Sequence, residues 1–292
     1  MSQLWQAIAT QISDILSDIQ GQPWQMGYKI PVAGGSINQT YKLVDQNSDR
    51  TYFIKLNQEN YLDMFEAEAI ALQALGVAIT VPRPLAWGIA ADQAYLILEY
   101  LEINHPPQWS ALAAGLAQVH QITSQHGFGW HQHNWIGSTP QLNTWTDNWL
   151  EFFREYRLGY QLQLAQRRGF PRKLGDRLLA KLPELLADHQ PQPVLVHGDL
   201  WRGNIGFTSN QAVIFDPASY FGDREVDLAM TTLFGGFNPE FYRLYHQILP
   251  LPPGYQQRQQ LYNLYHILNH FHLFGGSYGD QAISLIDKLL LA

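Results

Sequence analysis

The chain has 292 residues, of which 46% are hydrophobic and 15% are charged, so an intrinsically disordered protein is excluded and one large bilobal unit or two coupled domains are expected. The formal net charge is −7 and lysines and arginines do not cluster, so a nucleic-acid partner is not expected. The sequence contains no cysteine, which excludes disulfides and thiolate metal sites.

The N-terminal segment has apolar residues at helical spacing. Leu4, Ile8 and Ile12 belong to a pattern that predicts an amphipathic helix, which Gly21 and Pro23 end. The segment has neither a basic start nor a continuous apolar stretch, and no run of about 18 apolar residues follows it. We therefore expect a cytoplasmic protein that has no membrane partner.

Short strands are predicted next, with a glycine-rich hairpin candidate between two of them. Gly34, Gly35 and Ser36 lie at its centre, where small residues let backbone N–H groups approach a phosphate. The same residues also form ordinary hairpin turns, and the segment matches neither GxGxxG nor the P-loop signature. The hairpin alone leaves both interpretations open.

An alternating strand at residues 51–56 places Lys55 on the face opposite its apolar neighbours. The ordinary interpretation of such a lysine is a solvated one. However, the helix predicted at residues 61–75 carries Glu66 and Glu68, and kinases hold the α- and β-phosphates of ATP with a strand lysine paired to a helix glutamate. We favour Glu68 as the partner because an apolar stripe lies next to it.

Two more strands lead to a junction at Glu99 to Leu101. It divides the chain into an N-lobe, residues 1–101, and a C-lobe, residues 102–292. If the chain binds ATP, the backbone of Glu99 and Leu101 supplies the edge that recognises adenine. Otherwise the junction is simply the end of a strand.

The C-lobe is mainly helical by periodicity, with helices predicted at residues 110–121, 145–168, 172–189 and over much of 241–291. Two groups of histidines in it raise the question of zinc. They are His126, His131, His133, His266, His270 and His272. Neither group has the HExxH form, so we reject a zinc site.

The strongest chemical pattern lies between Val194 and Asp216, where two apolar runs predicted as strands flank a loop. Asp199 precedes Asn204 by five residues, and Asp216 ends the second strand. Carboxylate and amide oxygens suit Mg²⁺, and this spacing matches the kinase catalytic loop with its metal-binding aspartate. The pattern predicts Asp199 as the base and Asn204 and Asp216 as metal ligands, although each aspartate alone would be an ordinary turn residue.

Further along, Asp227 has two compatible interpretations. It caps the helix that follows, or it bridges to the loop that holds Asp199.

These motifs resemble those of the fructosamine kinase family, or ketosamine 3-kinases, within the group of aminoglycoside phosphotransferases and choline-kinase-like proteins. The resemblance covers nearly the whole chain. It is carried by GGSIN at 34–38, FIK at 53–55, MFEAE at 64–68, HGDLWRGN at 197–204, FDPA at 215–218 and DLAM at 227–230. It implies an α+β, two-lobed protein-kinase-like fold with a small β-rich N-lobe and a larger, mainly helical C-lobe.

The resemblance also implies the cofactors ATP and Mg²⁺. By this likeness Asp199 is the base for a sugar hydroxyl, Asn204 and Asp216 are the Mg²⁺ ligands, and Lys55 is the phosphate lysine with Glu68 as its partner. The expected activity is phosphorylation of the O3 hydroxyl of a ketosamine, which is a fructose or ribulose adduct of an amine, either small or protein-bound.

The likeness assigns supporting roles as well. Trp201 is expected to stack on the substrate, while His197 and Asp227 hold the catalytic loop. Ser36 replaces a cysteine found in some relatives, so redox-linked dimerisation through that loop is not expected. Two alternatives stay open: a kinase of the same group acting on an aminoglycoside, choline or homoserine, and a nucleotide-binding scaffold that does no chemistry.

Overall fold

A computed structural model of the chain describes residues 3–32 and 37–291. Gly34, Gly35 and Ser36, predicted to contact phosphate, lie outside the described residues. The strands on either side of them are β1 (Met26–Pro31) and β2 (Gln39–Asp45), which pair in antiparallel fashion. The predicted hairpin therefore has paired strands on both sides of its glycine-rich centre.

A five-stranded antiparallel sheet forms the first part of the fold. Its strands lie in the order β1-β2-β3-β5-β4, with β3 at Thr51–Gln58, β4 at Pro84–Ala90 and β5 at Gln93–Glu99. Each pair of neighbours in this order except β3-β5 joins strands that are consecutive in the chain, while the helix α2 (Leu62–Leu75) lies between β3 and β4 in the chain.

The two faces of this sheet are covered by different helices. Helix α1 (Gln3–Gln20) buries Ile8 and Ile12 in one cluster with Ile54 and Ile97 of the sheet. Helix α2 instead packs in the larger core that contains Leu96. Side chains alternate between faces along a strand, so α1 and α2 cover opposite faces, and Lys55, which pairs with Leu96 across β3 and β5, lies on the α2 face.

The rest of the chain is mainly helical. Its helices are α3 (Trp109–Val119), α4 (Trp149–Phe152), α5 (Gly159–Gln166), α6 (Arg172–Leu185), α7 (Glu225–Met230), α8 (Pro239–Ile248), α9 (Tyr255–Phe274) and α10 (Tyr278–Leu291). The larger core continues from α2 into this part, where Ile79 lies so close to Gly115 of α3 that a Cβ there would come within 2.8 Å of it. Within the described residues, no helix is long and apolar enough to cross a membrane.

The helix predicted at residues 145–168 is confirmed only from Trp149 to Gln166, and it is not a regular α-helix throughout. Thr146 exchanges two backbone hydrogen bonds with Phe128, so the helix begins only at Trp149, where the Asn148 side chain accepts a bond from the N–H of Glu151. The residues that follow, Phe153–Leu158, form a π-helical segment. Thr146 pairs with a distant segment, which helical periodicity does not reveal.

Gly159 explains how the π-helical segment joins α5. A Cβ at this position would lie 2.4 Å from the carbonyl oxygen of Arg154, five residues earlier. Such a contact is too short for any residue other than glycine, so the widened turn depends on Gly159. Helix α6 is also shorter than predicted, since it ends at Leu185.

Six short strands complete the fold: β6 (Asn134–Ile136), β7 (Thr139–Gln141), β8 (Val194–Val196), β9 (Ile205–Phe207), β10 (Ala212–Ile214) and β11 (Tyr220–Gly222). The two strands predicted to flank the Asp199 loop are β8 and β10. They have separate partners, because β8 pairs with β11 and β10 pairs with β9. The sequence analysis did not predict β9, which follows Asn204 directly and turns the chain back toward Asp216.

Candidate active site

A cavity of about 610 Å³ lies between the sheet and the helical part of the chain. Strand β3, helix α2, the segment after β5 and the loop after β8 all contribute to its wall. Among the lining residues are Phe53, Lys55, Glu68, Glu99, Leu101, Asp199, Trp201, Asn204 and Asp216. The fold therefore brings together, around one space, side chains that are distant in the sequence, such as Lys55 and Asp216, which are 161 positions apart.

Lys55 is buried in this cavity wall and paired with two carboxylates. Its Nζ lies 2.7 Å from Oε1 of Glu68 and also contacts Oδ1 of Asp216. Burial lowers the pKa of the Lys55 ammonium, but the charges of Asp216 and Glu68 outweigh burial and raise it above its ordinary value. The interpretation of Lys55 as a solvated lysine is therefore wrong. Glu68, rather than the exposed Glu66, is its partner on α2.

The segment that leaves β5 presents backbone groups to the cavity. The N–H of Glu99 donates to the carbonyl of Arg83 at 2.9 Å, and the Glu99 side chain is exposed. The N–H of Leu101 has no hydrogen-bond partner among the described residues. A donor left unpaired beside an apolar cleft is suited to a planar heterocycle, whose edge carries acceptors.

Asn204 ties the catalytic loop together through its side-chain amide. The loop ends in a 3₁₀ turn, Arg202–Asn204, which directs this side chain inward. Its Nδ2 donates to the carbonyl of Asp199 at 2.8 Å and to the Asp199 carboxylate at 3.2 Å. In the described part of the chain no donor contacts its Oδ1, so the oxygen of this amide is available to a cation.

The Asp199 carboxylate is suited to exchange a proton near neutral pH. Its side chain is 22% exposed, on the wall of the cavity. Burial first, and the nearby Asp216 carboxylate second, raise the pKa of Asp199 to about 7, although the hydrogen bond from Asn204 lowers it. A carboxyl group of this kind accepts a proton far more readily than an ordinary aspartate.

Asp216 follows β10 with a left-handed backbone, at φ +55°. Such a conformation costs a residue with a side chain about 1 kcal/mol, although aspartate tolerates it better than most. It directs the carboxylate, whose side chain is 41% exposed, toward Lys55 and the cavity. With the Asn204 oxygen, Asp216 forms an oxygen donor set of the type that Mg²⁺ prefers.

His197 supports the loop with both ring nitrogens. Its Nδ1 accepts the N–H of Asp199 at 3.2 Å, so Nε2 carries the hydrogen and donates to the carbonyl of Phe215 at 3.0 Å. Burial lowers the pKa of His197, which keeps the ring neutral and this arrangement intact at physiological pH. The imidazole therefore links the backbone beside Asp199 to the backbone beside Asp216.

Asp227 lies beneath the same loop. Its two carboxylate oxygens accept the backbone N–H groups of His197, at 2.7 Å, and Gly198, at 2.8 Å. Asp227 is inside α7, whose first residue is Glu225, so the helix-capping interpretation is wrong and the bridging one describes the contacts. Gly198 has φ +82°, and a Cβ there would lie 2.1 Å from the carbonyl oxygen of Ala218.

Behind Asp227 lie further hydrogen-bonding side chains that no sequence pattern indicated. The Nε2 of His120, on the turn after α3, lies 3.1 Å from the Asp227 carboxylate, and its Nδ1 lies 2.7 Å from the hydroxyl of Tyr245. Arg224 in turn donates to that hydroxyl at 3.1 Å. Because 107 positions separate His120 from Asp227, no local pattern signals the contact.

His266 is a further neighbour of Asp199 that was considered only as a zinc ligand. It is 3% exposed, and its Nδ1, 4.0 Å from Oδ1 of Asp199, is buried without a hydrogen-bond partner. Burial lowers the pKa of His266 to about 3, so the ring is neutral. A neutral ring adds no charge beside Asp199. In the sequence, the only indication of where His266 lies was its i,i+4 spacing from His270, which is typical of one helix face.

Trp201 lies at the wall of the cavity, on the same loop as Asp199. Its six-membered ring packs over Gly203, where a Cβ would come within 2.4 Å of the ring. Its other neighbour is Phe234, whose ring meets it edge to face at 5.8 Å between centroids. Gly203 and Phe234 together fix the position of the indole.

The fold and this arrangement of side chains define a two-lobed, protein-kinase-like protein, as the sequence predicted. A candidate aminoglycoside phosphotransferase from Ralstonia eutropha superimposes with a TM-score of 0.64 over 98% of this chain and 97% of its own, at 16% identity. Within that class the chain belongs to the fructosamine kinase family, whose family model matches residues 4–292.

Two relatives illustrate the family membership. A Synechocystis protein named a probable ketoamine kinase is 51% identical over 98% of this chain and 97% of its own. The crystal structure of a candidate fructosamine-3-kinase from Haemophilus somnus superimposes with a TM-score of 0.91 at 32% identity, covering 99% of this chain and 100% of that one. Both likenesses extend over nearly the whole chain.

Proposed function

We propose that this protein is an ATP-dependent kinase that phosphorylates the O3 hydroxyl of ketosamines, which are fructose or ribulose adducts of amines. The observation that carries the proposal is the convergence of Asp199, Asn204, Asp216 and Lys55 on one cavity. Membership of the fructosamine kinase family supports the choice of acceptor. A scaffold that does no chemistry has no need of this set, so a catalytic role is favoured.

In this proposal ATP lies along the cavity with its adenine against the segment after β5. The free N–H of Leu101 is positioned to donate to the base, and the neighbouring Glu99 lies at the same edge. Lys55 holds the α- and β-phosphates, because its ammonium is fixed between two carboxylates and stays protonated. The glycine-rich segment 34–36 is assigned to the same phosphates on its sequence alone.

Asp199 receives the substrate hydroxyl. Its carboxylate orients O3 toward the γ-phosphorus and takes the proton as the O3–P bond forms, while the bond from phosphorus to the ADP oxygen breaks. The raised pKa of Asp199 makes it a competent acceptor at neutral pH. His197 and Asp227 keep the loop in place through the backbone, and Trp201 offers a flat apolar surface to the sugar.

Asn204 and Asp216 are the residues that fit Mg²⁺. An amide oxygen without a donor and a carboxylate that faces the cavity form a hard-cation donor set without sulfur or imidazole. A bound Mg²⁺ supplies charge neutralisation on the phosphates of ATP. Lys55, on the other side of Asp216, adds the second positive charge.

The test is Mg²⁺-dependent ATP consumption with fructose-lysine, ribulose-lysine, choline and an aminoglycoside as acceptors. We expect turnover on the ketosamines, with the phosphate on O3 by ³¹P NMR. Asp199→Asn should lower kcat by about 10²-fold or more while ATP binding persists, and the exposed Asp188→Asn should change nothing. Turnover on choline or an aminoglycoside alone would show that the substrate assignment is wrong and the kinase assignment right. No turnover on any acceptor would favour a nucleotide-binding scaffold that does no chemistry.

A further inference from the structure

Five aromatic side chains form a continuous series of ring contacts that runs outward from the cavity. We call Trp201, Phe234, His270, Phe274 and Tyr278 the aromatic strip. The ring centroids are 5.8 Å apart between Trp201 and Phe234 and 4.8 Å apart between Phe234 and His270. From His270 the strip divides, to Phe274 at 5.6 Å and to Tyr278 at 5.1 Å.

The strip joins the catalytic residues to the protein surface. Its inner end, Trp201, lines the same cavity as Asp199. Two of its other members are open to solvent, with Phe234 38% exposed and Phe274 58% exposed, while His270 and Tyr278 are half-buried. Large aromatic side chains usually gain stability by burial, so exposed rings that continue from a cavity indicate a surface that a ligand covers.

The backbone that presents Phe234 supports the same interpretation. Phe234 has φ +52°, and Gly235 and Gly236, which follow it, have φ +98° and +67°. Glycine adopts such angles freely, but a bulky aromatic residue does so only at a cost in free energy. Phe234 stays 38% exposed in spite of that cost, and its backbone conformation places the ring against Trp201.

We propose that the aromatic strip binds the amine substituent of the ketosamine, and that Phe234 therefore determines substrate specificity. The inference rests on the proposed function. With O3 of the sugar at Asp199 and the sugar against Trp201, the nitrogen on C1 and the chain it carries leave the cavity along Phe234. The substituent on the ketosamine nitrogen is the occupant that we assign to the strip, because the strip is continuous with the cavity that holds the sugar.

The chemistry of a ketosamine fits such a surface. Its nitrogen is a secondary amine that is protonated at neutral pH, and a cation beside the faces of aromatic rings is attracted by their quadrupoles. A methylene chain, such as that of a lysine side chain, gains by lying on the rings of Phe234 and Phe274. We therefore expect a preference for adducts of long-chain or aromatic amines over adducts of very small ones.

The experiment compares fructose adducts of methylamine, butylamine, hexylamine and benzylamine as substrates. In the unmodified protein, KM should fall by about tenfold or more from the methylamine to the hexylamine adduct, with little change in kcat. Phe234→Ala should raise KM for the hexylamine adduct by about tenfold, while KM for the methylamine adduct and for ATP changes by less than about twofold.

Two more variants separate binding from a general effect on the loop. Phe234→Trp keeps an aromatic ring and should keep the preference for long chains. Phe274→Ala, at the outer end of the strip, should weaken binding of the hexylamine adduct alone. Val77→Ala serves as the control, because Val77 is 79% exposed on the turn after α2 and is not part of the strip.

Several results would overturn the proposal. Equal KM values across the amine series, or an equal rise for all of them in Phe234→Ala, would show that the strip does not contact the amine substituent. Loss of self-association in Phe234→Ala, with unchanged kinetics, would assign the strip to an interface between copies of the chain. If the unmodified protein turns over no ketosamine, the proposed function itself fails, which the panel of acceptors reveals first.

Discussion

The ammonium of Lys55 lies between two carboxylates from different parts of the fold, 2.7 Å from Glu68 on α2 and in contact with Asp216 after β10. One buried cation thus connects the sheet, the helix beside it and the segment that follows β10. Removing either carboxylate leaves a charged group with fewer partners in a site shielded from water, which is costly. The position of Lys55 therefore depends on both.

Replacing Glu68 should impair ATP use far more than replacing its neighbour Glu66. In Glu68→Ala the Lys55 ammonium keeps only Asp216, so it is drawn away from the phosphates, and we expect KM for ATP to rise by about tenfold or more. Glu66→Ala removes the same charge from an exposed position and should leave KM within about twofold. Steady-state kinetics at saturating acceptor measure both, and equal effects would contradict the ion-pair role.

Asp216→Asn changes a proposed Mg²⁺ ligand, and it should weaken Mg²⁺ binding while keeping the size of the side chain. Titration of a non-hydrolysable ATP analogue by calorimetry, with and without Mg²⁺, measures this. We expect the Mg²⁺-dependent gain in nucleotide affinity to fall by about tenfold or more, because a neutral amide neutralises no cation charge. The same gain in Asp216→Asn as in the unmodified protein would rule out Asp216 as a ligand.

Much of this site was predictable because its chemistry is local in sequence. Asp199, Trp201 and Asn204 lie within six positions. They therefore belong to one loop, and their spacing can be recognised without knowing what surrounds that loop. Strands β3 and β5 were predictable for a similar reason, since alternation along a strand is set by its own geometry. The family resemblance then supplied roles for residues already located.

The remainder depends on contacts between distant segments. A three-residue strand such as β8 carries no pattern that selects its partner, and its partner β11 lies beyond β9 and β10 in the chain. Lys55 is an ordinary strand lysine until the fold buries it. His120, on the turn after α3, reaches Asp227 of α7 only in the folded core. The roles of both residues depend on the buried contacts that the folded chain gives them. No local sequence pattern predicts those contacts.

Asp227→Asn should slow catalysis while sparing nucleotide binding. The carboxylate accepts N–H groups from His197 and Gly198 and faces His120, so an amide must turn one N–H₂ group toward a donor. An unsatisfied buried donor costs about 1–3 kcal/mol. If the loop at His197 and Gly198 moved to avoid this cost, it would displace Asp199. We expect kcat to fall by about tenfold to 10²-fold with KM for ATP unchanged.

The control for Asp227→Asn is Asp188→Asn, an exposed aspartate on the turn after α6. Thermal unfolding of both variants checks that the helical part stays intact. A parallel rise in KM for ATP and for the acceptor, with kcat preserved, would indicate that Asp227 supports the fold in general rather than the position of the catalytic loop.

A buried ion pair behind the site offers a separate test of stability. Arg258 on α9 donates Nε and Nη2 to the two oxygens of Glu225 at 2.7 and 2.8 Å. Arg258→Met leaves the buried carboxylate without its hydrogen-bond donors, and the nearest remaining cationic candidate, the ring of His189, is 3.9 Å away. The free energy of unfolding should therefore fall by about 3–5 kcal/mol. The double variant Arg258→Met with Glu225→Gln removes both charges and should recover most of that loss in urea unfolding. A double variant as unstable as the sum of the single ones would show that the two side chains do not interact.

The final prediction concerns acid sensitivity in the sheet, where Asp45 is 4% exposed at the end of β2. Burial raises the pKa of Asp45, but hydrogen bonds from Ser48, from the N–H of Gln25 and from Arg50 outweigh it and hold the pKa at about 2. A carboxyl with an ordinary value near 3.8 in the unfolded chain thus adds about 2 kcal/mol to stability at neutral pH.

Because the pKa of Asp45 is lowered on folding, its contribution is complete above about pH 4 and is lost as the pH falls toward 2. Asp45→Asn should therefore be less stable than the unmodified protein by about 2 kcal/mol at pH 7, and the difference should shrink between pH 4 and pH 2. Asp49→Asn changes an exposed aspartate in the same hairpin and should show no such difference. Urea unfolding across this range measures all three proteins, and a difference for Asp45→Asn that stays constant with pH would mean that its carboxylate charge does not stabilise the fold.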